Sequence, residues 1–186
     1  MNIEVVTAPE HRHCTPKSLK MFLAGGICKC VQWQKMIIDR FLADNLDIEL
    51  SQCYSDLYIF NPRREDWVEG PNAAERQIEW EFDMLEKCDV FTMYFAGGES
   101  DQPICMYELG RNIEKMKQRF PKTWKERIFI TCDSTYKRVK DVIIQTGLAT
   151  DGLVPVNVVD GVNKSIDEHF NTISENLKYI YTEDYE

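Results

Sequence analysis

Five short, almost continuous apolar runs limit what this 186-residue chain can fold into. They are Lys20 to Ala24, Leu57 to Phe60, Val90 to Phe95, Arg127 to Thr131 and Val154 to Val159. A strand with one wet face alternates polar and apolar residues, whereas one that is apolar throughout must be covered on both faces. Helix-like segments separate the runs. One spans about Val31 to Leu42, with Trp33, Ile37, Ile38 and Phe41 on one side, and another about Ala73 to Glu86. A third opens at Pro103, a residue suited to the first helical position; a fourth runs from Tyr136 to Thr146 and stops at Gly147, and Lys164 to Tyr179 closes the chain. Regular strand–helix alternation implies an α/β fold, a parallel sheet with helices on both faces. Asn2 to Thr7 reads as a short edge strand or hairpin arm, and His11 to Lys17 as a polar connection. The expected division is an N-terminal extension or edge strand, 1–19, and a single domain, 20–186, without repeats or linkers.

Composition removes several classes of function. A net charge of −9 argues against a nucleic-acid polymer or an anionic membrane as partner. No apolar run approaches the ~20 residues of a membrane-spanning helix, and the first residues lack a signal-peptide core. Seven scattered cysteines, an odd number, suit a reducing compartment better than a disulfide framework, so a cytoplasmic location is expected.

Parallel sheets collect ligands at the carboxyl ends of their strands. The unusual residues should therefore follow strands, and they do: Gly25-Gly26, Asn61-Pro62-Arg63-Arg64, Gly97 to Gln102, and Asp133-Ser134. Turn and capping needs suffice for Asp133-Ser134. Arg63 and Arg64 suit a phosphate or an acidic partner, and their competing use is a surface ion pair with Glu65 or Asp66. Glu108 lies about a turn and a half into the helix from Pro103, beside the stripe Leu109, Ile113, Met116 and Phe120, and Gly110 next to it permits close approach. A second carboxylate, Glu81, occupies an apolar position in a stripe of Ile78, Phe82 and Leu85. A carboxylate there must be paired, solvated by a cleft, or functional. Two acidic groups brought to one crevice are the minimum equipment for displacement at an anomeric carbon, one attacking and the other handling protons or fixing the sugar.

Four blocks carry a resemblance: Phe22-Leu-Ala-Gly-Gly-Ile27 with Trp33, Asn61-Pro-Arg-Arg-Glu65, Gln77-Ile-Glu-Trp-Glu81 leading to Cys88-Asp89, and Gln102-Pro-Ile-Cys-Met-Tyr-Glu-Leu-Gly110. Together, from about Met21 to Arg111, they resemble the nucleoside 2-deoxyribosyltransferase-like family. The resemblance implies a flavodoxin-like three-layer fold, with a five-stranded parallel sheet in the order 2-1-3-4-5. It implies Glu108 as the nucleophile at C1′ of a sugar, and Glu81 as the acidic residue that contacts sugar or base. Candidate substrate contacts are Gly25, Gly26, Ile27, Trp33, Asn61, Pro62, Arg63, Arg64, Asp101, Gln102 and Tyr107. The expected partner is a small-molecule nucleoside or nucleotide, with no cofactor, and the chain should form a homodimer or higher homo-oligomer. Family transferases often carry an aspartate near the base six positions before the nucleophile; Gln102 stands there, with Asp101 one residue further away. An amide can read a base edge but cannot supply a proton. Two alternatives stay open: hydrolysis of a nucleoside 5′-monophosphate, and a non-catalytic module that binds a nucleotide-like ligand.

Other patterns carry less. His11, His13 and Cys14 with Cys28 and Cys30 lack zinc-site spacing, so no metal is expected. Trp33, Trp67 and Trp80 have the area to stack on a base, but packing is the commoner fate of a tryptophan. Tyr107 or Tyr94, where one lies near, would orient the Glu108 carboxylate through a phenolic hydrogen bond; core packing is the competing use and is favoured for Tyr94.

Overall fold

The apolar runs become strands because both alternating sets of their side chains find cover. In the computed structural model, which describes residues 2–43, 54–65 and 70–183, the elements follow in the order β1 (Asn2–Thr7), β2 (Ser18–Gly25), α1 (Trp33–Ala43), β3 (Asp56–Asn61), α2 (Ala73–Lys87), β4 (Val90–Phe95) and α3 (Pro103–Arg119). A 3-10 turn (Trp124–Arg127), β5 (Ile128–Asp133), α4 (Val139–Thr150), β6 (Val156–Val159) and α5 (Val162–Glu183) complete it. Leu19, Met21 and Leu23 of β2 face one way, with Trp33, Ile37 and Phe41 of α1 and Ile166, Phe170 and Ile173 of α5. Phe22 and Ala24 face the other way, with Trp80 and Met84 of α2 and Leu109, Ile113 and Met116 of α3. The result is three layers with the sheet in the middle.

All six strands are parallel, in the order β1-β3-β2-β4-β5-β6. The five strands expected from their apolar runs keep the anticipated 2-1-3-4-5 order. Asn2–Thr7 adds a sixth at the edge, in parallel register with Asp56–Asn61, so it is an edge strand and not a hairpin arm. Neighbouring strands β2 and β4 are reached by connections that leave in opposite directions, which opens a crevice beyond their carboxyl ends.

Two helices depart from expectation. Gly147 does not stop α4, which continues to Thr150 and ends where Asp151 adopts a left-handed conformation. In α2 the buried residues are Ala73, Gln77, Trp80, Met84 and Leu85, while Ile78 and Phe82 are 64% and 52% exposed. The stripe of Ile78 and Phe82 is thus on the wrong face. Trp80, one position from each turn of the expected stripe, has the larger area to bury and takes the core side between Phe22 and Phe60. Asp66 and Trp67 lie outside the described residues. Among those described, no helix is long and apolar enough to cross a membrane, and no three His, Cys, Asp or Glu side chains gather as a metal site.

Candidate active site

β2 ends in Gly25, whose φ of 148° is open to glycine; a side chain there would also run into the Tyr94 carbonyl and the Trp33 ring. Gly26 follows, and a Cβ on it would lie 2.6 Å from both Cys30 Sγ and Gln102 Oε1. Two bare residues therefore let the backbone pass close to α3 and leave a hollow above it. That hollow, about 280 Å³, is lined by Gly25, Gly26, Ile27 and Cys28 after β2, Pro62 after β3, Ser100 to Cys105 in part after β4, Phe22 and Ala24 as its floor, and the two glutamates Glu81 and Glu108.

The carboxylates reach it from different helices. Glu81 belongs to the buried side of α2 because it stands one turn after Gln77 and beside Trp80. The Gln77 amide nitrogen donates to Glu81 Oε1 at 2.7 Å and to the Pro62 carbonyl at 2.7 Å, which fixes the carboxylate against the β3 loop. Glu108 projects from α3 between buried Cys105 and Asn112, and its own carbonyl accepts from the Asn112 amide.

Both glutamates are harder to ionise than a carboxylate in water. Burial raises Glu81, opposed by the Gln77 hydrogen bond. Burial first, and the negative charge of Glu81 second, push Glu108 up to about 7, with Arg111 pulling weakly the other way. Of the two, Glu81 has the hydrogen bond that favours its charged form. Cys105 lines the same hollow, but burial lifts its thiol far above its ordinary value. It is a neutral wall, not a nucleophile.

Gln102 caps the start of α3 in a left-handed conformation and is only 5% exposed. Its amide nitrogen donates to the Ala96 carbonyl at 2.8 Å, which leaves Oε1 as the free end, without a protein partner. The side chain keeps an unpartnered acceptor in Oε1 and a second amide hydrogen on Nε2.

The other residues expected at the site fall elsewhere. Trp33 is fully buried on the opposite face of the sheet; its indole N–H donates to the Gly26 carbonyl at 3.0 Å, and its ring packs on Tyr94 and His169. Its position beneath the glycine loop supports that loop from below. Tyr94 belongs to the same core, hydrogen-bonded to Ser165 at 2.6 Å, with its phenol pushed up to about 12 by burial. Buried His169 beside them is neutral, pushed down to about 3 by loss of water. Asp101 turns away to Lys137 at 3.1 Å, and Tyr107 is 68% exposed outside the lining. Pro62 reaches the hollow, but Asn61, Arg63 and Arg64 line a separate cavity on the far side of it. Gln77, which tethers Glu81, was not anticipated; its signal in the sequence is the four-residue spacing to a carboxylate on one helix face.

None of the curated proteins compared with this chain matches it. A family model described as nucleoside 2-deoxyribosyltransferase like matches residues 18–120, a stretch that runs from β2 to the end of α3 and holds every residue lining the glutamate pocket. With more than half of its length so matched, the chain belongs to the nucleoside 2-deoxyribosyltransferase-like family.

Proposed function

We propose that this protein acts at the N-glycosidic bond of a nucleoside, with Glu108 as nucleophile. The observation that supports this most is that two carboxylates on separate helices face one hollow, where burial and mutual repulsion hold back the ionisation of Glu108. In the first step a Glu108 oxygen attacks C1′ of the sugar and the C1′–N bond breaks, its electron pair leaving with the base. In the second, a nitrogen of another base, or water, attacks C1′, Glu108 departs as a carboxylate, and the proton shed by the attacking group replaces the one taken up by the base that left, so configuration is retained overall. Positive charge developing on the sugar ring lowers the cost of ionising Glu108, and Glu81 supplies a second negative partner or a sugar contact. Gln102 Oε1 accepts from an N–H of the base.

Arg63 and Arg64 do not line this hollow, which removes the charge argument for a 5′-phosphate within it and favours the uncharged nucleoside. Release of base to water is the variant reading, decided by the acceptor. We further propose a cytoplasmic protein that works as a homodimer or larger homo-oligomer. What supports assembly is a rim of exposed apolar side chains beside the hollow: Ile78 and Phe82 on α2, Ile104 and Tyr107 on α3. The test is incubation with a panel of nucleosides and their monophosphates, with and without a second base, followed by chromatography. Free base or exchanged nucleoside is expected. Tight binding without either product would make the protein a binding module.

A further inference from the structure

The arginine pair has its own cavity. About 200 Å³ in volume, it opens at the carboxyl ends of β1 and β3 beside the first turns of α1. Lys35, Arg63 and Arg64 bring three cationic side chains to its lining, against one carboxylate, Glu65, among the described residues. Lys35 also pairs with Asp39 at 2.9 Å. Thr7, Gln32 and Asn61 add neutral polar groups. With Glu65 and the Asp39 partner of Lys35 both counted, one positive charge is left in excess among these described residues, in a chain of net charge −9.

Arg63 sharpens the point. Its guanidinium donates to the Val31 carbonyl at 2.6 Å, the Cys30 carbonyl at 3.0 Å and Gln34 Oε1 at 3.3 Å, all of them neutral. Three acceptors fix its position and none cancels its charge. An anion entering beside it meets a cation that is already oriented, with the Asp39-held ammonium of Lys35 and a second guanidinium at Arg64 in the same lining.

We propose that this cavity binds a phosphate group, as inorganic phosphate or as a small phosphate ester. At about 200 Å³ it is smaller than the glutamate pocket of about 280 Å³, which suits it to the phosphate end of a ligand. The site is also wired to the glutamate pocket. Arg63 grips the backbone at Cys30 and Val31, and the same loop supplies Ile27 and Cys28 to the glutamate pocket. The inference does not depend on Glu108 chemistry, because the cavity shares none of its lining residues with the other.

The experiment titrates Glu108→Gln protein, in which turnover is suppressed, with inorganic phosphate and separately with a nucleoside and its 5′-monophosphate, by calorimetry at low ionic strength. The same titrations use the double variant Lys35→Gln/Arg64→Gln in that background, with Lys35→Gln alone as the milder change and thermal unfolding as the check on folding. The expected result is saturable binding of inorganic phosphate, weakened at least tenfold by the double variant and measurably by the single one, with nucleoside affinity unchanged. If inorganic phosphate does not bind but the monophosphate does and loses tenfold, the phosphate comes from a substrate whose base sits in the glutamate pocket, and the site stands. Phosphate and monophosphate affinities that stay within twofold in the folded variants, or no binding of either to the parent protein, overturn the proposal.

Discussion

Gln77 donates to Glu81 Oε1 at 2.7 Å, a hydrogen bond that favours the charged form of the carboxylate whose charge opposes ionisation of Glu108. Removing it, in Gln77→Leu, takes away the one interaction that favours Glu81 as an anion. Glu81 should then titrate higher and, being neutral more often, repel Glu108 less. The midpoint of Glu108 should move down from about 7. Carboxyl NMR titration of labelled glutamates checks this, and an unmoved Glu108 would mean that the two do not communicate.

Glu108→Gln keeps shape and loses charge. Turnover should fall by at least about a thousandfold with nucleoside binding retained. Intact mass on a slow substrate should show a sugar adduct on the wild type, mapping to the peptide that contains Glu108. An adduct on Glu81 would exchange the roles of the two carboxylates.

The raised midpoint of Glu108 also has a sign in stability. Its folded value of about 7 lies above the ordinary 4.5, so between these values the folded state binds more protons than the unfolded one. Stability is therefore lost as pH rises through this window. The penalty is absent below about pH 4.5 and complete above about pH 7, where it amounts to roughly 3 kcal/mol. Glu108→Gln should be the more stable protein at pH 8 by up to that amount and nearly neutral at pH 4, as denaturant titration would register. For the nucleophile, kcat/KM should rise tenfold per pH unit below about 7 and level off above it.

Trp33→Phe removes the indole N–H from a buried carbonyl and leaves a small void. The two losses together should cost about 2–4 kcal/mol. Because the lost donor holds Gly26 at 3.0 Å, KM for nucleoside should rise more than kcat falls. A variant with unchanged KM would show that the loop keeps its place without the indole.

Phe82→Asp places a charge in the exposed apolar rim of α2 and α3. In a homo-oligomer that uses this rim, the variant should sediment as a monomer, whereas the wild type at micromolar concentration should not. A monomeric wild type with full activity would dispose of the assembly.

Much of the fold was legible because its strands are apolar on both faces, a pattern that few architectures tolerate. Glu108 was legible for a related reason, since a carboxylate flush against the stripe of Leu109, Ile113 and Met116 has no other place to go. Glu81 was reached through the wrong stripe. Ile78 and Phe82 look like core residues in a list of hydrophobicities, but Trp80 outweighs them and turns the helix, and polar Gln77 is buried with it. Arg63 and Arg64 show the opposite limit. Residue type announced a positive site after β3, but the side on which a loop presents its side chains depends on contacts with Cys30, Val31 and Gln34, far away in the chain. Trp33 likewise carries no mark in the sequence to say that it supports the glycine loop from the far face.

The two faces of the sheet are completed at different moments of synthesis. Every residue that lines the glutamate pocket has been made by Glu108, yet the core around Trp33 waits for Ile166, Phe170, Ile173, Leu177 and Ile180 on the last helix. Until α5 emerges, a nascent chain carries every residue that lines the ligand hollow on one side and a bare, greasy wall on the other. A fragment cut after residue 120 would hold the entire pocket and still clump, because what it lacks is not chemistry but a cover.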